Sequence, residues 1–166
     1  MTEIEMSVVE EKIRALGLVL PPPLQPPAGV TLPFPWVRMH GNRAFISGHG
    51  PQNPDGTLAG PFGKVGREVS PEQARHAARL VGLSILASLQ RALGDLDRVT
   101  AWLRVLGMVN SAPTFHRQPE VINGFSELIL ELYGPECGLH ARSAVGMAQL
   151  PFDIPVEIEG EVEIRA

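Results

Sequence analysis

The stretch from His140 to Glu159, HARSAVGMAQLPFDIPVEIE, sets one long cation among minimal side chains and follows it with a row of carboxylates, a setting for charge and proton chemistry. Read as a strand, its side chains alternate between faces, which puts Arg142 on one face with Ala144, Gly146 and Ala148. Leu150-Pro151-Phe152-Asp153 breaks that pattern. A second alternation then puts Ile154, Val156, Ile158, Val162 and Ile164 on one face and Glu157, Glu159, Glu161 and Glu163 on the other. Two strands joined by a short turn would bring the arginine close to the glutamate row. The same residues also have a plain structural account, with Arg142 in a surface ion pair and the glutamates as the solvated face of an edge strand.

The elements that must position these residues are legible along the chain. Ser7 and Glu10 form a capping-box pattern for a short helix closed by Gly17, with Val9, Ile13 and Leu16 as its apolar stripe. Pro21, Pro22, Pro23, Pro26 and Pro27 forbid helix and supply a stiff extended connector. Residues 1–30 therefore read as an accessory arm before a domain at 31–166, packed either on its own domain or on a neighbouring subunit. Trp36 to His40, a Gly41-Asn42 turn and Arg43 to Ser47 predict a β-hairpin that feeds the glycine-rich Ser47-Gly48-His49-Gly50-Pro51. That segment lacks the glycine order and following lysine of a phosphate loop. Leu58 to Val69, with Gly60, Gly63 and Gly66, reads as irregular or short strand structure.

Ser70, Pro71 and Gln73 predict a capped helix whose stripe is Ala74, Ala78, Val81, Ile85, Leu89 and Leu93 and whose stop is Gly94. Arg75, Arg79 and Arg91 mostly fall off that stripe and read as solvated charges. Val99 to Val109 alternates with apolar residues on both sides, the mark of a central strand buried on two faces. A second helix is expected over roughly Pro119 to Leu132, burying Val121, Phe125, Leu128, Ile129 and Leu132 and stopping at Gly134. Strands and helices intermix without strict alternation, so the fold class is α+β, with two main helices packed on one face of a mixed sheet and other subunits covering the rest.

Composition narrows the function classes. A formal net charge of −4 disfavours a general nucleic-acid or membrane-surface binder. The single cysteine, Cys137, excludes an internal disulfide, and no two of the five histidines stand three or four residues apart, so no metal site is expected. The acidic N-terminus and the lack of a long apolar run point to a cytoplasmic protein.

The segments SGHGP, GDLDRV, QPEVINGFSEL and HARSAV followed by LP and PVEIE together resemble the RidA/YjgF family of imine and enamine deaminases, also called endoribonuclease L-PSP-like, over about Trp36 to Ile164. The last segment is the specific one, and the N-terminal arm marks a divergent branch. The resemblance implies a chorismate-mutase-like fold, a homotrimer with ligand clefts between subunits, and hydrolysis of 2-imino acids to 2-oxo acids and ammonia without a cofactor.

Under that resemblance Arg142 grips the substrate carboxylate and Glu157 orients the attacking water and moves its proton. Ser47 and Gly48 would line the cleft, Asn123 would lie near it on the second helix, Trp36 replaces a tyrosine usual in the family, and Ala144 replaces a frequent cysteine. A small carboxylate or imino acid is then the partner, with no nucleic acid and no membrane. The alternative is a non-catalytic trimer that binds small carboxylate metabolites. An endoribonuclease activity ranks third, since the acidic charge does not suit a polyanion.

Overall fold

The structure is a computed structural model that describes residues 6–166. Helix α1 spans Val8–Ala15 and begins where the Ser7 side chain accepts from the Glu10 N–H at 3.0 Å. Two more of the free N–H groups of the first turn are taken by a distant residue. The Val8 and Val9 N–H groups donate to the Asp97 carboxylate at 2.7 and 3.1 Å, tying the start of the arm to the body of the domain. Val9 and Ile13 are buried, whereas Leu16 is exposed, because the chain leaves the helix before Leu16 can return to the packed face.

The hairpin forms as β1 (Val37–His40) and β2 (Arg43–His49). Helix α2 (Pro71–Leu93) carries the full capping box of Ser70 and Gln73 and ends at Gly94 in the left-handed conformation, as the punctuation dictates. All six residues of its predicted stripe are buried. A short 3-10 turn, Leu96–Arg98, leads into β3 (Val99–Asn110). Helix α3 (Gln118–Gly138) buries all five predicted residues and is broken at Gly134, φ 74°, ahead of Pro135. Strands β4 (Ala141–Met147) and β5 (Val156–Ile164) complete one five-stranded sheet.

Strand order is β1-β2-β5-β3-β4, with β3 parallel to β4 and every other pairing antiparallel. The parallel pair needs a long crossover, and α3 supplies it. This order corrects one expectation. Strands β4 and β5 are consecutive but not adjacent, because β3 lies between them. On β5, Val156, Ile158, Val162 and Ile164 pack into the core under α2 and α3 while the glutamates face away, as the alternation requires.

The faces of β3 also need correcting. The ladder shifts register between Val99 and Ala101 and again between Trp102 and Arg104, so Trp102 joins Val105 on the helix side while Thr100 and Arg104 are exposed. Each bulge adds a residue to one strand only and so reverses the alternation that a sequence pattern assumes.

Helices α2 and α3 pack against each other through a glycine. A Cβ on Gly124 would collide with the Arg75 carbonyl, a backbone atom that cannot step aside. Arg75 and Arg79 flank this contact in surface ion pairs with Glu127 at 2.6 Å and Glu131 at 3.5 Å. Gly124→Ala should force the helices apart and lower the urea midpoint, at a cost of about 3 kcal/mol. An unchanged midpoint would mean that the helices can separate freely.

Candidate functional site

Arg142 projects from β4 toward α3, and three neutral acceptors hold it. Its guanidinium donates to Asn123 Oδ1 at 2.7 Å, Ser126 Oγ at 2.9 Å and the Pro119 carbonyl at 3.2 Å. Five N–H donors less these three leaves two for a ligand. Among the described residues it forms no ion pair, so its charge is oriented without being neutralised. Partial burial pulls the guanidinium below its ordinary value, by desolvation.

Ser126 is itself oriented. His140 Nδ1 lies 2.8 Å from the Gly138 carbonyl, which can only accept, so that nitrogen carries the proton. Desolvation by burial, with repulsion from Arg142 beside it, lowers the His140 pKa and keeps the ring neutral. Nε2 therefore accepts the Ser126 hydroxyl at 2.9 Å, and the serine oxygen is left to receive Arg142. Sequence reading pointed to Asn123 but missed Ser126 and His140. The His140-to-Arg142 spacing was visible, but the crossover that carries Ser126 to them was not.

Glu157 lies elsewhere. It pairs with Met108 across β3, whereas Arg142 pairs with Val105, and the two side chains leave opposite faces of the sheet. Their strands are two spacings apart, roughly 10 Å. Glu157 is half-buried, and it has no hydrogen-bonding or ionic partner among the described residues. Desolvation by burial, and then repulsion from Glu159, raises its pKa above the ordinary glutamate value. It faces a cavity of about 260 Å³ that Trp36, Gly48, Phe152 and Ile154 share with residues of the arm.

Gly48 leaves the carboxylate room there. A Cβ at that position would stand 2.7 Å from Glu157 Oε2. Ser47 turns the other way. Its hydroxyl donates to the Pro35 carbonyl at 2.8 Å, and it lines a separate open depression with Arg104, Glu159 and Glu161. Ala144 of β4 is opposite Gly107 of β3, on the Arg142 face. One chain thus gathers Arg142, Asn123 and Ala144 in one place and Trp36, Gly48 and Glu157 in another.

Trp36 packs against His49 with ring centroids 5.0 Å apart and the rings tilted by 53°. His49 repeats the histidine arrangement seen beside Arg142. Nδ1 faces the Ser47 carbonyl, Nε2 takes the Ser88 hydroxyl at 2.8 Å, and Ser88 Oγ receives Arg91 at 3.1 Å. Arg91 also donates to the Pro21 carbonyl at 3.2 Å, so it is no solvated charge but an anchor for the arm. Gln52 Nε2 adds a bond to the Pro22 carbonyl at 3.0 Å. The proline connector therefore packs on its own domain.

No group of three or more His, Cys, Asp or Glu side chains is placed to hold a metal among the described residues, and no described helix is long and apolar enough to cross a membrane.

Residues 33–164 match the model of the family described as Endoribonuclease L-PSP. The chain belongs to that family. It is the RidA/YjgF family that the four sequence segments resemble, and the α+β fold with a mixed sheet is the family's own. Protein TCP17 of Trypanosoma cruzi is 36% identical over 99% of both chains, so the alignment runs through the arm as well as the domain. A crystal structure of a protein of unknown function from Agrobacterium tumefaciens is 39% identical, with a TM-score of 0.85 over 96% of this chain and 94% of that one. A putative endoribonuclease from Shewanella oneidensis is 27% identical, with a TM-score of 0.82 over 94% of this chain and 99% of that one.

Burial pulls His49 down from 6.5 to about 4, with repulsion from Arg91 adding to it and the bond to Ser47 opposing it. A histidine depressed in the fold contributes stability that is complete above 6.5 and lost as pH falls through about 4. Urea denaturation should show wild type losing on the order of 3 kcal/mol more than His49→Asn between pH 7 and pH 4. Parallel pH curves for the two proteins would contradict a neutral, buried ring.

Proposed function

We propose that the protein hydrolyses 2-imino and enamine acids to 2-oxo acids and ammonia, in clefts where Arg142 of one copy meets Glu157 of another within a homotrimer. The observation that carries this reading is Glu157, a half-buried carboxylate without a partner among the described residues, with raised proton affinity, facing a cavity beside a glycine that leaves it room. A carboxylate so placed suits a general base. Arg142 supports the reading, since a fixed cation with two unused donors is made for a small carboxylate.

The chemistry balances with water alone. The two free donors of Arg142 bind the substrate carboxylate and present the imine carbon. As the oxygen of the attacking water bonds to that carbon, Glu157 takes a proton from it and passes that proton to the imine nitrogen. In the resulting carbinolamine the hydroxyl proton moves by way of Glu157 to the nitrogen, the C–N bond breaks, ammonia leaves, the carbonyl of the 2-oxo acid remains, and Glu157 is again a carboxylate. Positioning carries most of the rate, because an imine is already electrophilic. The endoribonuclease label of the family does not explain this site. A net charge of −4 gives a polyanion little attraction, and the Glu157 cavity is walled by apolar side chains.

An amino-acid oxidase supplied with several amino acids generates the 2-imino acids for the test. Wild type should speed 2-oxo acid formation, with Arg142→Ala and Glu157→Gln each slower by about a hundredfold or more. The acid limb of the wild-type rate should lie above the ordinary glutamate range, as the raised pKa of Glu157 dictates. No acceleration by wild type with any imino acid would overturn the reading, and saturable 2-oxo acid binding without turnover would assign the cleft to metabolite binding instead.

A further inference from the structure

The cavity beside Glu157 is larger than a small substrate needs, and its outer wall is the arm. Leu24, Pro26 and Pro27 of the arm line it together with Phe34, Trp36 and Phe152. Phe34 and Trp36 form an edge-on pair with centroids 5.7 Å apart. Apart from Glu157 and Gln25, the side chains that line the space are apolar.

This wall is fixed at both ends. Before it, Pro21 is buried and the Pro21 and Pro22 carbonyls are held by Arg91 and Gln52. After it, the Trp36 carbonyl accepts the Ser47 N–H at 3.0 Å. The turn that carries Phe152 is held as well. Phe152 has φ 57° and Asp153 has φ 57°, a conformation that bulky side chains avoid. Asn110, fully buried, holds the turn by donating to Asp153 Oδ1 and to the Ile154 carbonyl, both at 3.2 Å. The Gly63 N–H adds a bond to the Asp153 carbonyl at 2.8 Å. The strained turn leaves Phe152 67% exposed, lining the cavity.

We infer that this space is a side-chain subsite and that the arm and Phe152 make the protein selective for 2-imino acids bearing large apolar side chains, such as those derived from phenylalanine or leucine. The inference rests on the reading of Glu157 as the hydrolytic base. A methyl side chain would leave about 260 Å³ unfilled and forfeit the contacts those walls offer. A polar side chain would surrender its water hydrogen bonds to walls that return few.

Two measurements on the full-length protein test it. The first compares kcat/KM for the imino acids made from phenylalanine, leucine and alanine. The second compares the affinities of phenylpyruvate and pyruvate by calorimetry and needs no turnover. Wild type should favour the larger member by about tenfold or more in each. Leu24→Trp fills the space, and Phe152→Gly removes a wall while relieving the positive φ, so the latter should fold well. Both should cut the ratios severalfold, with about fivefold as the threshold.

Turnover and binding that both ignore side-chain size would overturn the subsite. So would wild-type ratios that neither variant alters. Size-selective binding without hydrolysis of any imino acid would sustain the subsite and overturn the deaminase reading.

Discussion

Strand β5 is bonded to β2 on one side and β3 on the other, and its alternation divides the molecule. Its valines and isoleucines are buried beneath α2 and α3, which commits every intervening glutamate to the face the helices leave open. A slip of one residue would bury four carboxylates, so the register is strongly specified. Glu157 is placed by this constraint. At the end of the strand, beside the glycine-rich turn of β2, it is the glutamate that the cavity partly desolvates, and its raised proton affinity follows. The same constraint puts Arg142 out of reach within a chain, because β3 stands between the two strands and the helices hold the guanidinium on the other face.

Two Arg–Ser–His chains hold the parts that the sheet does not. In each, a histidine donates through Nδ1 to the carbonyl two residues before it, accepts a serine hydroxyl through Nε2, and leaves the serine oxygen for an arginine. One chain aims Arg142. The other ties α2 to the end of β2 and, through Arg91, to the proline arm. Neutral histidines suit this use, since a charged ring would spend both nitrogens as donors beside an arginine. The arm is therefore structurally part of the site. It carries α1 into the core, is pinned at Pro21 and Pro22, and lines the space beside Glu157.

Features that depend on neighbours along the chain were readable from sequence. The capping box at Ser70, the stripe of α2, the stop at Gly134 and the two faces of β5 all follow from local periodicity and backbone chemistry. Features that depend on distant pairing were not. The insertion of β3 between β4 and β5 is a long-range choice that no local pattern encodes, and it separates Arg142 from Glu157, which the sequence pattern put close together. The bulges that send Trp102 into the core are invisible to a period-two count. Arg91 read as solvated because its partner, a carbonyl in the proline arm, has no side-chain signature.

Our proposal that Arg142 of one copy meets Glu157 of another is tested most directly by complementation. Arg142→Ala and Glu157→Gln proteins, each inactive alone, are unfolded together, refolded and assayed for 2-imino acid hydrolysis. In a closed ring where each cleft takes its arginine from one copy and its glutamate from the next, random mixing leaves roughly a quarter of the clefts intact. Recovery of about that share of wild-type activity is the predicted result. Mixed assemblies as inactive as either parent, while co-refolded wild type regains activity, would contradict the account.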